Sequence, residues 1–189
     1  MKNVEIKEAR LVEYLFSSTQ FAWVWLLVRL FVGYEWFIAG WVKLFNPLWI
    51  GEKAGTAVTG FLQGTLQKTG GLHPDVQSWY AIFVENIALP NAKFFSYLVT
   101  YGELLVGVAL ILGLFTGVVA LFGAFMNLNY LLAGTVSVNP ELLMFEFLLI
   151  TAWKNAGWYG MDRWLLPKLG TPWQPGYWFS TVCNCFKKQ

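Results

Sequence analysis

Apolar residues in this chain are gathered into four long blocks, and polar residues collect between them. A block of about 20 apolar residues is long enough to cross roughly 30 Å of hydrocarbon as an α-helix. The pattern therefore predicts an all-α fold, an integral membrane four-helix bundle. Its spans are expected at about Phe21–Phe45, Phe94–Leu114, Thr116–Thr135 and Glu141–Trp158.

The segments outside these blocks have a different pattern. Residues 46–93 form a long loop in which apolar positions at helical spacing predict two short amphipathic helices, at about Ala54–Lys68 and Asp75–Ala88. Residues 1–20 are charged and amphipathic, and residues 159–189 mix Trp and Tyr with Pro and Gly, which favours an interfacial tail. The expected organisation is an N-terminal segment 1–20, a membrane domain 21–158 and a C-terminal tail 159–189.

Composition agrees with a membrane protein and narrows its chemistry. Hydrophobic residues make up 57% of the 189 positions and charged residues 13%, whereas a soluble domain carries about 25% charged residues. The net charge of +2 is too small and too dispersed for a nucleic-acid partner. With one His and two Cys, neither a bis-His haem nor an iron–sulfur cluster is expected. Electron transfer would then need a small organic carrier or a partner protein.

Lys and Arg residues near the ends of the blocks predict the orientation. Eight flank the two termini and four lie in or beside the long loop, so the positive-inside rule places both termini in the cytoplasm and the loop outside. The first set is Lys2, Lys7, Arg10, Lys154, Arg163, Lys168, Lys187 and Lys188, and the second is Lys43, Lys53, Lys68 and Lys93. This predicts a multi-pass protein of the cytoplasmic (inner) membrane.

Polar residues inside the apolar blocks are the candidate chemistry, because an ionised group costs at least about 2.5 kcal/mol at the centre of a membrane helix. They are Arg29, Glu35, Lys43, Glu103, Asn127, Asn129 and Glu146. Arg29, Trp36 and Lys43 share one stripe of the first helix with two glycines, and this stripe should face the bundle interior. Arg29 is expected to pair with Glu103 or Glu146.

Two interpretations of these residues remain open. An Arg–Glu pair and two Asn can simply hold helices together by hydrogen bonds. Alternatively they line a quinone site, in which Arg29, Lys43 and Asn127 bind the head group, Trp36 forms an aromatic wall, and Glu103 and Glu146 exchange protons. No metal site is predicted, because Cys183 and Cys185 cannot complete a tetrahedral centre alone.

Several motifs, in order along the chain, resemble the DoxX/DoxD family of membrane proteins. They are Arg29-Leu-Phe-Val-Gly33, Ala39-Gly40-Trp-Val-Lys43, Leu89-Pro-Asn91, Gly102-Glu103-Leu-Leu-Val-Gly107, Leu110-Ile-Leu-Gly113, Gly134-Thr-Val-Ser-Val-Asn-Pro140 and Gly160-Met-Asp162. The resemblance covers about residues 21–169. It singles out Arg29, Lys43 and Glu103 as the charged members of the matching motifs.

The resemblance implies a four-helix membrane fold and a quinone-linked oxidoreductase subunit. The family takes its name from the DoxD subunit of thiosulfate:quinone oxidoreductase, which works with a DoxA subunit. It therefore implies electrons passing from a sulfur compound such as thiosulfate to membrane quinone, with a DoxA-like partner supplied separately. Two alternatives are a non-catalytic accessory or scaffold subunit of a larger respiratory or photosynthetic membrane complex, and a small transporter.

Overall fold

The computed structural model describes residues 9–170, and within this range every regular element is helical. The prediction of an all-α chain is thus confirmed for the described part. Eight α-helices follow one another: α1 Arg10–Ser17, α2 Ala22–Leu44, α3 Thr56–Leu66, α4 Ser78–Phe83, α5 Ala92–Leu112, α6 Thr116–Leu132, α7 Asn139–Thr151 and α8 Asp162–Leu169. A π-helical turn, Val84–Ala88, continues α4.

Two segments are long and apolar enough to cross a membrane, Thr19–Leu44 and Ala92–Leu112, with mean hydropathies of 1.5 and 1.8. The helix α6 is apolar but shorter, with 17 residues. The fourth predicted span differs most from expectation. Helix α7 has 13 residues, about 20 Å at 1.5 Å per residue, and gives way at Ala152 to a series of turns that runs to Gly160.

The long helices pack in neighbouring antiparallel pairs. Helix α2 packs on α5 and α7, and α6 packs on α5 and α7. Gly40 and Gly107 make the first pair close, because a Cβ on Gly40 would lie 2.6 Å from the Leu104 nitrogen and one on Gly107 would collide with the Phe37 backbone. Small residues thus bring the polar stripes of α2 and α5 face to face.

The outward surfaces of the long helices are apolar. Residues such as Leu27, Phe94, Leu105, Phe122 and Phe147 are more than half exposed. Exposed apolar side chains over this much helix surface indicate contact with lipid.

Residues 46–91 fold over one end of the long helices. Helices α3 and α4 share an apolar cluster with α5 and α6, built around Val58, Leu62, Val76, Tyr80 and Ala133. Tyr80 secures α4, because its hydroxyl donates to the Asn129 backbone oxygen at 3.1 Å. This segment is therefore packed against the bundle rather than free of it.

The N-terminal helix α1 is held at the other end by two buried side chains. The Trp25 indole nitrogen donates to the Leu15 carbonyl at 2.8 Å. The Asn155 amide donates to the carbonyls of Leu15 at 3.0 Å and Ser18 at 2.8 Å. These carbonyls lie at the C-terminal end of α1, so the turns after α7 cap that helix.

Candidate functional site

A lysine, a glutamate and a tyrosine meet between α2, α5 and α6. Lys43 Nζ donates to Glu103 Oε2 at 2.6 Å, and the Tyr130 hydroxyl donates to Glu103 Oε1 at 2.7 Å. The Glu103 side chain is 2% exposed and that of Lys43 is 21% exposed. Lys43 also lies over the Trp49 ring, 5.0 Å from its centroid. Glu103 thus has a cation as one partner and a neutral hydroxyl as the other.

A second carboxylate lies between α6 and α7 and has different partners. Glu146 is fully buried; its Oε1 accepts from Trp36 Nε1 at 2.6 Å and its Oε2 from Asn127 Nδ2 at 2.7 Å. Gly123 makes room for it, because a Cβ there would lie 2.5 Å from Glu146 Oε1. Both donors to Glu146 are neutral.

The two carboxylates are joined by aromatic rings. The Trp36 and Tyr130 ring centroids lie 6.4 Å apart, and each ring donates to a different glutamate. We call the whole set, Lys43, Glu103, Tyr130, Trp36, Glu146 and Asn127, the polar chain. The Lys43 side chain is 21% exposed and Glu146 is fully buried. Solvent access therefore decreases along the polar chain from Lys43 to Glu146.

One atom of the polar chain lacks a partner among the described residues. Asn127 is fully buried, and its Oδ1 accepts no hydrogen bond. A buried acceptor without a donor is costly, at about 1–3 kcal/mol. Rotation of this amide would exchange Oδ1 with Nδ2, so Asn127 can accept from a protonated Glu146 or donate to an ionised one.

Arg29 lies elsewhere, and the expected pairing with Glu103 or Glu146 is wrong. Its Nη2 donates to the Tyr159 carbonyl at 3.2 Å, while Nε and Nη1 have no acceptor in the described part of the chain. The guanidinium lies against Gly113 and Gly160, where any Cβ would collide with Nη1. The physical reason is the height of each residue along the helix axis. Arg29 lies at the height of the α5–α6 turn, whereas Lys43, two helical turns beyond Trp36, lies at the height of Glu103.

Asp162 is the acid that belongs with Arg29. It is fully buried and attracts the guanidinium electrostatically, and its carboxylate accepts from the backbone nitrogens of Phe115 at 2.6 Å and Thr116 at 2.9 Å. These nitrogens begin α6, so Asp162 caps that helix from a distant segment. The Met161 and Asp162 nitrogens donate to the Leu112 and Gly113 carbonyls and fix the same turn.

Glu35 is the remaining ionisable residue of α2. It is half-buried near the middle of the helix and makes no hydrogen bond or ion pair with the described residues. It lies on the flank of α2 beside Phe31, whose ring contacts Phe145 of α7. A carboxylate without a donor at this depth is unfavourable in hydrocarbon.

Of the six predicted site residues, five belong to the polar chain, namely Glu103, Glu146, Trp36, Lys43 and Asn127, and Arg29 does not. Trp36 contributes a donor as well as a ring face. Sequence reasoning missed Tyr130 as a site residue. Its signal was a position on α6 three residues beyond Asn127, which places both on neighbouring parts of one helix face. Cys183 and Cys185 lie outside the described residues.

Comparison with known proteins identifies the family. The sequence model of DoxX matches residues 24–135, which is more than half of the chain. This chain belongs to the DoxX family. As a DoxX protein with two helices of spanning length, it is a membrane protein in contact with lipid. The DoxX match includes every member of the polar chain except Glu146 and does not reach Asp162. No curated protein and no solved structure matches the sequence.

Proposed function

We propose that this protein is the quinone-binding membrane subunit of an oxidoreductase and that the polar chain holds and moves protons for it. The observation that carries the proposal is the pair of buried carboxylates, Glu103 and Glu146, whose hydrogen-bond partners are all side chains. Side chains can reorient when a proton arrives, so each carboxylate can change protonation without breaking main-chain structure.

The residues at the half-buried end fit a quinone head group. Lys43 can donate to a carbonyl oxygen with an N–H that Glu103 does not take, and the Tyr130 hydroxyl can do so when it turns away from Glu103; Trp49 and Phe61 supply aromatic surface beside them. When bound, a quinone supplies two-electron chemistry coupled to two protons. Glu103 touches both donors, so it is the group placed to exchange a proton through them.

Glu146 serves as the proton reserve in this proposal. It has no cation beside it among the described residues, and Asn127 can satisfy it in either protonation state by amide rotation. Glu103, in contrast, has the Lys43 charge beside it. The two groups therefore have different roles. Glu103 exchanges a proton with the ligand, and Glu146 stores a proton in the buried part of the bundle.

The membrane arrangement and the electron donor are further parts of the proposal. All four long helices cross the cytoplasmic membrane as a bundle, with the termini inside and residues 46–93 outside, as the Lys and Arg distribution favours. Electrons would come from a sulfur compound such as thiosulfate through a separate DoxA-like subunit, as the family resemblance implies.

Quinone binding by the purified full chain tests this function. A short-chain ubiquinone is titrated in mild detergent with wild type, Glu103→Gln and Glu146→Gln, and Glu141→Gln is the control because it is an exposed acid on the same helix as Glu146. We expect weaker binding for Glu103→Gln, an altered pH dependence of the quinone potential for Glu146→Gln, and no change for the control. Equal behaviour of all four proteins would contradict the proposal.

One observation favours a second function, that of an accessory subunit. Glu35 lies at mid-helix without a partner in the described residues, and an intramembrane carboxylate normally meets a donor. A partner membrane helix bearing Lys, Arg or an amide at that depth would satisfy it. A photo-crosslinker at Ile38, exposed on the same helix, should then label a partner in native membranes for wild type and fail for Glu35→Leu.

A further inference from the structure

A pocket of about 350 Å³ opens where α5 ends and α8 begins, far from the polar chain. Its walls combine the last residue of α5, Leu112, with aromatic rings and one cation, Arg163. The Arg163 guanidinium lies 4.8 Å from the centroid of the Trp158 ring, which it covers. The stacking fixes the cation at the edge of the pocket while its N–H groups remain exposed.

The surroundings of the pocket are those of a membrane boundary. Leu112 ends a helix of spanning length, and the pocket residues Tyr159, Met161 and Trp164 are 53%, 44% and 66% exposed. Trp and Tyr favour the level of the lipid head groups. The pocket therefore has apolar surface next to a cation. A phospholipid has the matching arrangement, with acyl chains next to a phosphate.

A second cation lies behind the pocket wall. Arg29 is 1% exposed and its Nη1, which has no acceptor among the described residues, lies directly against Gly160, a residue of the pocket. Asp162 attracts the Arg29 guanidinium electrostatically, and Arg163 adds a second cation at the pocket. The potential at the pocket is thus positive, because one acid does not balance two cations.

We propose that this pocket binds the head group of an anionic phospholipid, with the phosphate on Arg163 and the acyl chains along Trp164 and Leu112. The apolar part of the wall favours a lipid over free phosphate, since inorganic phosphate gains nothing from Trp164, Met161 or Leu112. The proposal does not depend on the quinone function, because the pocket shares no residue with the polar chain.

Native mass spectrometry of the full chain tests it. The protein is taken from bilayers that contain phosphatidylcholine and phosphatidylglycerol in equal amounts, and the ratio of the two lipids retained is measured. Wild type should retain phosphatidylglycerol in preference, and Arg163→Gln should reduce that preference about fivefold, the effect of one basic residue near a membrane surface. Lys168→Gln is the matched control, because Lys168 is an exposed cation on the same short helix but outside the pocket.

Three further results decide between lipid and other ligands. Arg163→Lys should keep most of the preference, and Trp164→Ala should lower retention of both lipids. Added inorganic phosphate should leave the lipid ratio unchanged. An Arg163→Gln protein that melts like wild type yet keeps its preference would overturn the proposal, as would equal losses for Arg163→Gln and Lys168→Gln, or displacement of the lipid by phosphate.

Discussion

Two sets of buried charges in this protein differ in what holds them. At the α5–α6 turn, Arg29 and Asp162 make their hydrogen bonds to backbone groups of Tyr159, Phe115 and Thr116. In the polar chain, Glu103 and Glu146 make theirs only to side chains. Backbone partners cannot reorient without moving a helix, whereas side-chain partners can. The first set therefore maintains the fold, and the second can change its hydrogen bonds without moving a helix.

The comparison also shows why a charged residue in a membrane helix is ambiguous in a sequence. Arg29 and Lys43 lie on the same stripe of α2, but only Lys43 makes a hydrogen bond to a carboxylate. The two residues differ in the segment that packs against them: the α5–α6 turn packs against Arg29, and the middle of α5 packs against Lys43. Variants in the two sets should therefore fail in different ways.

The largest effect is expected at Asp162. Asp162→Ala removes the acceptor for two helix-starting nitrogens and leaves the buried Arg29 charge uncompensated. Breaking a buried charge interaction in this way should lower the free energy of unfolding by about 3 kcal/mol. Unfolding in mixed micelles measures it, and the protein that remains folded should bind quinone as wild type does. Loss of quinone binding without loss of stability would contradict the assignment of Asp162 to the set that maintains the fold.

Gly113→Ala should be the next most damaging change. Gly113 has φ +67°, and a Cβ would collide with the Arg29 guanidinium. We expect a loss of about 2–3 kcal/mol, of which the left-handed backbone accounts for about 1–2 kcal/mol. In an Arg29→Ala background the cost should fall, leaving the left-handed backbone and the Gly160 Cα, which would lie 2.9 Å from the new Cβ; a double-mutant cycle measures the part due to Arg29. Simple additivity would show that Arg29 does not fill this turn.

Tyr130→Phe should affect function more than stability. It removes one hydrogen bond to a charged group, which costs about 1.5 kcal/mol. In the proposed site Tyr130 is one of two donors to the quinone, so the free energy of quinone binding should fall by a larger fraction than the free energy of unfolding. Tyr34→Phe is the control, because Tyr34 is 57% exposed on α2. If both variants bind quinone equally well, Tyr130 has no part in the site.

The smallest effect belongs to neither set and concerns Tyr80, which lies outside the spanning helices. Burial raises the pKa of its hydroxyl from 10.0 to about 12. Burial disfavours the ionised hydroxyl, so its effect on stability is constant below about pH 10, and the folded state is destabilised as pH rises from there towards 12. Melting curves of wild type and Tyr80→Phe should differ by less than about 1 kcal/mol at neutral pH. Their difference should shrink over that pH range; a constant difference would contradict the assignment.

The long hydrophobic blocks were enough to predict the helices, because a membrane span has a fixed length and composition. Their ends were harder to predict: α7 stops at Thr151 although apolar residues continue, since Asn155 and Gly157 are used in turns that hold α1 and Asp162. The helical stripe correctly placed Trp36 and Lys43 in the interior. A helical stripe does not determine how one helix is rotated and shifted along its axis relative to another. For that reason the sequence did not show that Lys43, and not Arg29, pairs with Glu103.

The capping of α1 by Asn155 has a consequence for biosynthesis. Leu15 and Ser18 leave the ribosome early, but the amide that binds their carbonyls is synthesised some 137 to 140 positions later. During translation α1 can form early, yet it cannot make these hydrogen bonds until Asn155 has been synthesised and the turns after α7 have folded. Docking of α1 therefore requires that α7 and the turns after it are already in place.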